Sequence, residues 1–203
     1  MIALIDYGMG NIRSVSKAFE SSGGQVVITQ KAEDIMKAKA IVLPGVGAFR
    51  DCMDNLSKLG LISTIREEII KGKPYLGICL GMQILFSESE EFGVSKGLDI
   101  LKGRVVRFKL SNEYKIPHMG WNTVKFKKKS KILEEIPDKS YFYFVHSYYV
   151  VPEDSKVVGG ITDYGVDFSS MIIYENIFAT QFHPEKSQKM GLKLIKNFVK
   201  NVQ

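Results

Sequence analysis

The stretch Tyr75-Leu76-Gly77-Ile78-Cys79-Leu80-Gly81-Met82-Gln83 decides how this chain is read. Its first half is a short apolar run entered through Pro74. Its second half opens a helix-compatible run, Met82-Gln83-Ile84-Leu85-Phe86, so the cysteine falls at the junction. The pattern G-x-C-x-G repeats the logic of G-x-S-x-G, the nucleophile elbow. A tight strand-to-helix turn crowds backbone against the reactive residue on both sides, and residues without a Cβ are needed at Gly77 and Gly81. A thiol placed there sits at a helix N-terminus, where the dipole and free N–H groups favour the reactive thiolate. A free cysteine is more often a buried structural residue; the flanking glycines turn the reading of Cys79 towards a nucleophile.

Upstream of the elbow the pattern is strand, helix, strand. Ile2 to Ile5 reads as a buried strand, and Asp6-Tyr7-Gly8-Met9-Gly10-Asn11 as a loop opening a helix with Ile12, Val15 and Phe19 on one face. A dinucleotide fingerprint fails here, because Arg13 stands where its third glycine belongs. Gly23 and Gly24 end that helix; a second strand spans 25–29, a short helix 32–39 and a third strand 40–43. The third strand runs into Pro44-Gly45-Val46-Gly47-Ala48-Phe49, a loop at a strand's carboxyl end, where open α/β sheets bind ligands. The same residues read equally well as a plain turn. Helical stretches fill 49–71, so the first half predicts a parallel sheet flanked by helices.

After Phe92 the texture changes to short β-rich runs at 103–109, 121–126, 141–145, 148–151, 157–162, 171–174 and 177–182. Glu175-Asn176 predicts a tight hairpin. A last helix from about Ser187 is expected to turn Leu192, Ile195 and Val199 to the core. The expected fold is α/β: a central mixed, mostly parallel sheet flanked by helices with an antiparallel C-terminal extension, in a single domain over 1–203.

With 45% hydrophobic and 25% charged residues, the chain has globular proportions. No apolar run reaches membrane length, and the start Met1-Ile2-Ala3-Leu4-Ile5-Asp6 lacks the features of a signal peptide; a cytoplasmic chain is expected. That compartment and the context of Cys79 argue against pairing the two cysteines, Cys52 and Cys79. The three histidines, His118, His146 and His183, are far apart and form no metal-ligand motif. The net charge of +6 owes much to Lys125, Lys127, Lys128, Lys129 and Lys131. Without interleaved aromatics this run reads as a solvated turn, and no nucleic-acid partner is expected.

A cysteine nucleophile needs a base. His183 stands in Gln181-Phe182-His183-Pro184-Glu185, at a strand end, and Glu185 lies on the same side of an extended segment, where a carboxylate can hold the imidazole tautomer. Alone, His-Pro-Glu could simply open a helix; beside a cysteine elbow it reads as the base and its orienter.

These three segments, Gly77 to Gln83, Pro44 to Gly47 and His183 to Glu185, resemble the signatures of class I glutamine amidotransferases. The resemblance implies a triad of Cys79, His183 and Glu185 that hydrolyses the side-chain amide of L-glutamine through a γ-glutamyl thioester, with no cofactor and no metal. It implies oxyanion donors at Leu80 and at Val46 and Gly47, and substrate contacts at Gly45, Gly47, Gln83, His146, Ser147 and Tyr148. Less generic stretches narrow the likeness: Asp6 to Ser14, the Pro-Gly-Val-Gly loop, Pro117-His118-Met119-Gly120-Trp121-Asn122 and Phe144 to Tyr149. Within the family they are similar to glutaminase subunits of imidazole glycerol phosphate synthase. Such a subunit passes ammonia to a separate cyclase subunit, a (β/α)₈ barrel, in histidine biosynthesis. The likeness turns Asn11 and Trp121 towards that partner, although Trp121 also reads as a core aromatic. Service to a different synthase, or a non-catalytic binding module on the same fold, are the competing expectations.

Overall fold

Alternate side chains of a strand point to opposite faces of its sheet, and the first strand shows both faces covered. In β1 (Ile2–Ile5), Ile2 and Leu4 join one apolar core, while Ala3 and Ile5 join another. The computed structural model, which describes residues 1–202, builds the first half from α1 (Ile12–Ser21), β2 (Val26–Thr29), α2 (Ala32–Lys37), β3 (Ala40–Gly45), α3 (Phe49–Lys58), α4 (Ile62–Ile70) and β4 (Tyr75–Cys79). Strands β2, β1, β3 and β4 lie side by side in that order, all parallel. Ile35, Leu56 and Ile65 of α2, α3 and α4 belong to the core on one face; Val15 and Phe19 of α1 belong to the other.

The elbow is followed by α5 (Leu80–Gln83), a single turn. The helix-compatible run to Phe86 does not continue, because the next carbonyls are taken by another segment. Ile84 O accepts from Leu98 N at 2.7 Å, and Leu85 O accepts from Leu101 N at 3.0 Å. Phe86 already belongs to β5 (Phe86–Ser89). The remaining elements are β6 (Ser95–Lys96), β7 (Leu101–Arg107), β8 (His118–Phe126), β9 (Ser140–His146), β10 (Tyr148–Pro152), β11 (Val158–Asp163), β12 (Asp167–Tyr174), β13 (Ile177–Thr180) and α6 (Gln188–Val202).

The second half extends the same sheet. Strand β13 lies parallel beside β4, and β12 returns antiparallel across a two-residue turn at Glu175-Asn176, with Tyr174 opposite Ile177. Beyond β12 come β10, β7, β5 and β6, while β11 leads from β12 to the β8–β9 pair. The expected mixed sheet with its antiparallel extension is therefore present. Among the described residues no helix is long and apolar enough to cross a membrane.

Helix α6 covers the face that α1 covers, with Ile195 and Val199 inward as expected but Leu192 turned outward. Leu192 is 40% exposed, and Leu194, Ile195, Phe198 and Val199 are buried. The rotation follows from Gly191, where an added Cβ would fall 2.0 Å from the Pro184 carbonyl oxygen, so this side of the helix lies against the preceding segment. Leu194→Ala is therefore expected to cost about 2–5 kcal/mol in denaturant unfolding. Leu192→Ala should stay within about 0.5 kcal/mol of the parent.

Candidate active site

The site forms where three parallel strands end together. In the β3–β4 register Gly45 lies opposite Cys79, and in the β4–β13 register Ile78 lies opposite Thr180. The residues that follow these pairs, Val46 and Gly47 on one side, Leu80 behind, and Gln181 to His183 on the other, must surround the sulfur.

The backbone at Cys79 has φ 54° and ψ −106°, a conformation that costs a side-chain-bearing residue about 1–3 kcal/mol. It persists because both neighbouring glycines are locked. A Cβ on Gly81 would fall 1.8 Å from the Leu43 carbonyl oxygen, and one on Gly77 would fall 2.4 Å from the Gly81 carbonyl oxygen. The buried Tyr75 hydroxyl donates to that same Gly81 carbonyl at 2.7 Å. The elbow is thus present as the sequence implies. With α5 only four residues long, however, its dipole contributes little to the sulfur, and the nearby imidazole is the principal source of positive charge.

That imidazole belongs to His183. Its Nδ1 and the Glu185 Oε1 are 2.8 Å apart, with both side chains 3% exposed. Burial lowers the pKa of His183, but the adjoining Cys79 and Glu185 side chains outweigh it and raise the group to about 10. Nε2 of His183 and Oε2 of Glu185 are buried, and among the described residues neither has a hydrogen-bond partner. One ring nitrogen is therefore tethered to a carboxylate, and Cys79 adjoins the same ring. Cys52 contrasts with this arrangement: it is buried, and desolvation pushes its thiol up to about 12.

Beside the sulfur lies a cavity of about 320 Å³. Val46, Gly47, Leu80, Gln83, His146, Ser147 and Tyr148, all expected from the sequence, line it together with Cys79. Gly45 does not; it is buried behind the loop, where an added Cβ would fall 2.1 Å from the Tyr7 hydroxyl. Gln83 uses both amide hydrogens internally, donating to Tyr148 O at 3.1 Å and Gln181 Oε1 at 3.1 Å. Only its Oε1 is left to offer a ligand.

Glu91 also lines the cavity and was not expected. It lies in the turn between β5 and β6, accepts from Phe49 N at 2.7 Å, and carries the one acidic side chain in the lining. A turn glutamate has no periodicity or motif to mark it.

His146 and His118 pair instead of facing a ligand alone. His146 Nδ1 lies 2.8 Å from Tyr148 O, His118 Nδ1 lies 2.9 Å from His146 Nε2, and Asn122 Nδ2 lies 3.3 Å from His118 Nε2. The Tyr148 carbonyl can only accept, so both rings carry their proton on Nδ1 and both are neutral. Desolvation lowers His118 to about 4 and His146 to about 3. Trp121 is 46% exposed on β8, between Met119 and Tyr141 at 61% and 62%, so it is a surface aromatic and not a core one. Asn11 is exposed and caps α1, its side chain accepting from Ser14 N at 3.2 Å. Among the described residues no cluster of three or more His, Cys, Asp or Glu could hold a metal ion.

Comparison with known proteins gives one consistent answer. The family model "Glutamine amidotransferase class-I" matches residues 3–202. The imidazole glycerol phosphate synthase subunit HisH of Aquifex aeolicus (strain VF5) is 55% identical over 201 residues, covering 98% of this chain and 96% of its own. The subunit of the same name from Syntrophotalea carbinolica is 50% identical over 203 residues, covering 98% of each chain. Among solved structures, a glutamine amidotransferase superposes with a TM-score of 0.77 over 100% of this chain and 99% of its own, at 18% identity. PurLQS from Thermotoga maritima superposes at 0.74 over 100% and 98%, also at 18% identity. These structural likenesses speak for the fold.

The neutral histidine pair gives stability a pH dependence. Unfolded, both rings titrate near 6.5; folded, they do so only at about 4 and about 3. Between those values the unfolded chain binds more protons, so stability falls on acidification by up to ~1.4 kcal/mol per pH unit per histidine. His183 has the opposite sign: its contribution is full below about 6.5 and is lost as the pH rises through about 10, leaving it silent in the acid window. Denaturant unfolding should show a lower midpoint at acidic than at neutral pH. His118→Gln, which keeps a donor towards His146, should flatten that dependence, and an unchanged slope would remove the pair as its cause.

Proposed function

The chain belongs to the class I glutamine amidotransferases, and from that premise we propose that it is the glutaminase subunit of an imidazole glycerol phosphate synthase. It hydrolyses L-glutamine to glutamate and ammonia and hands the ammonia to a separate cyclase subunit, a (β/α)₈ barrel, in histidine biosynthesis in the cytoplasm. The near-full-length likeness to HisH subunits supports the assignment among amidotransferases. Residues 1–203 act as one amidotransferase domain in this reading. The observation that carries the chemistry is the unpartnered Nε2 of His183, held by Glu185 through Nδ1 beside a cysteine in a strained elbow.

In this mechanism the substrate occupies the cavity with its carboxamide carbon at the Cys79 sulfur. The Glu91 carboxylate receives the α-ammonium, and Gln83 Oε1 accepts from a substrate N–H. The thiolate adds to the carboxamide, and the oxyanion is received by the Leu80 N–H and by an N–H of the Val46–Gly47 segment. His183, carrying the proton on Nε2, passes it to the leaving nitrogen, so ammonia departs uncharged and a thioester remains. Water then attacks the thioester with His183 as base, returning glutamate and the thiolate–imidazolium pair. Glu185 holds the ring without exchanging a proton. The exposed stripe of Met119, Trp121 and Tyr141, with Asn11, is the face offered to the cyclase, and Trp121 suits an anchor there.

The test uses the two-subunit enzyme. Cys79→Ala should abolish glutamine hydrolysis and glutamine-dependent synthesis, yet leave synthesis from added ammonium salts intact, because the partner needs only NH₃. Glutamine hydrolysis by a folded Cys79→Ala variant would overturn the assignment. Glu91→Gln should raise KM for glutamine about tenfold or more with a smaller change in kcat, as expected for lost ground-state binding of a charged group. An unchanged KM would remove Glu91 from the substrate contacts.

A further inference from the structure

We propose that Gln181 is a positioning residue that holds the Cys79 sulfur by donating a hydrogen bond to it from a side-chain amide of fixed orientation. The inference rests on the reading of Cys79 as nucleophile. Gln181 Nε2 lies 3.6 Å from Cys79 Sγ, and the residue is fully buried and outside the cavity lining, so it serves the sulfur and not the substrate.

Its place follows from strand register. Thr180 pairs with Ile78 across the β13–β4 ladder, so the next residue on each strand, Gln181 and Cys79, are neighbours. Gln181 N is itself tied to Ser170 O at 2.9 Å. His183 follows two residues on, with φ −98° and ψ 97°, and Pro184–Lys186 then turn in a 3₁₀ helix that brings the Glu185 carboxylate to 2.8 Å from its Nδ1, in place of the extended segment expected from the sequence. One short segment, the chain leaving β13 and the 3₁₀ turn after it, thus supplies a donor to the sulfur, a base beside it, and the carboxylate that holds the base.

The amide could in principle present oxygen or nitrogen to the sulfur. The polar chain behind it settles which. The Tyr148 carbonyl can only accept, and it faces Gln83 Nε2 at 3.1 Å; the same nitrogen faces Gln181 at 3.1 Å, so Gln181 must turn its oxygen that way and its nitrogen to the sulfur. Tyr148 is held in turn by His146, and His146 by His118. Every bond in this series has one possible direction, and it ends on sulfur. An N–H donor is stronger towards a thiolate than towards a thiol, so the contact favours the charged form and fixes where it points.

Alkylation of Cys79 by iodoacetamide, followed by mass spectrometry across pH, reads the sulfur without glutamine, so a failure of the glutaminase reading would not be mistaken for a failure here. Gln181→Leu should move the midpoint of the rate-against-pH curve up by about one unit and slow alkylation at neutral pH about tenfold, the loss of one hydrogen bond to a charged atom. Gln181→Glu, of the same shape, replaces the donor with an acceptor and should slow it further. Gln83→Leu, which frees the amide to turn over, should give a smaller shift in the same direction. In glutamine hydrolysis by the two-subunit enzyme, Gln181→Leu should lower kcat and leave KM near the parent value. An unchanged alkylation profile in folded Gln181→Leu or Gln181→Glu, or a change confined to KM, would overturn the proposal.

Discussion

The contact between Gly81 and the Leu43 carbonyl oxygen is the constraint on which the site depends. Strand β3 and the turn after β4 approach so closely that a Cβ on Gly81 would fall 1.8 Å from that oxygen. The approach fixes the turn, the turn forces Cys79 to φ 54°, and that conformation lifts the sulfur out of the sheet towards the cavity. The same approach puts the Val46–Gly47 loop next to Leu80. Strain of about 1–3 kcal/mol at Cys79 is tolerable because two packed cores hold the strands on either side.

Two histidine environments stand a few residues apart in space and behave oppositely. His183 has a carboxylate on one nitrogen and the sulfur near the other, which favours its charged form. His146 and His118 have only each other, a carbonyl and an amide, so burial keeps them neutral. Neutral imidazoles beside the cavity have a chemical consequence for a reaction that releases ammonia. At neutral pH they carry no imidazolium proton, whereas the surroundings of His183 favour its charged form. The polar chain also ties the segment after β9 to the elbow, linking cavity-lining backbone to the turn that carries Cys79.

The structure also separates the cavity from the exposed aromatic stripe. The cavity opens at the ends of β3, β4 and β13, while the exposed aromatic stripe runs along β8 and β9. They are joined through His118, Asn122 and His146, which lie on the same two strands as the stripe. In open α/β sheets ligands gather where strands end; here the antiparallel extension adds a second wall and an exposed aromatic stripe.

By itself the sequence determined the fold class and marked the candidate nucleophile and base. Gly77, Cys79 and Gly81 are legible because only glycine survives that crowding, and His183 and Glu185 because they stand two residues apart in a chain with a cysteine elbow, although a 3₁₀ turn over Pro184–Lys186, and not an extended period of two, brings them together. Gln181 stands two residues before His183, yet its contact with Cys79 depends on β13 settling beside β4, a pairing between residues far apart in the chain. Tertiary structure alone decided the length of α5, cut to four residues because Leu98 and Leu101 capture the carbonyls that a longer helix would use. It decided that Leu192 faces outward, through the close packing of Gly191 on Pro184. It also decided that Glu91, an unmarked turn residue, reaches the cavity, and that His118 and His146 meet. Local pattern records what a residue needs of its immediate neighbours; partners brought together by strand register and loop packing leave no such periodic trace.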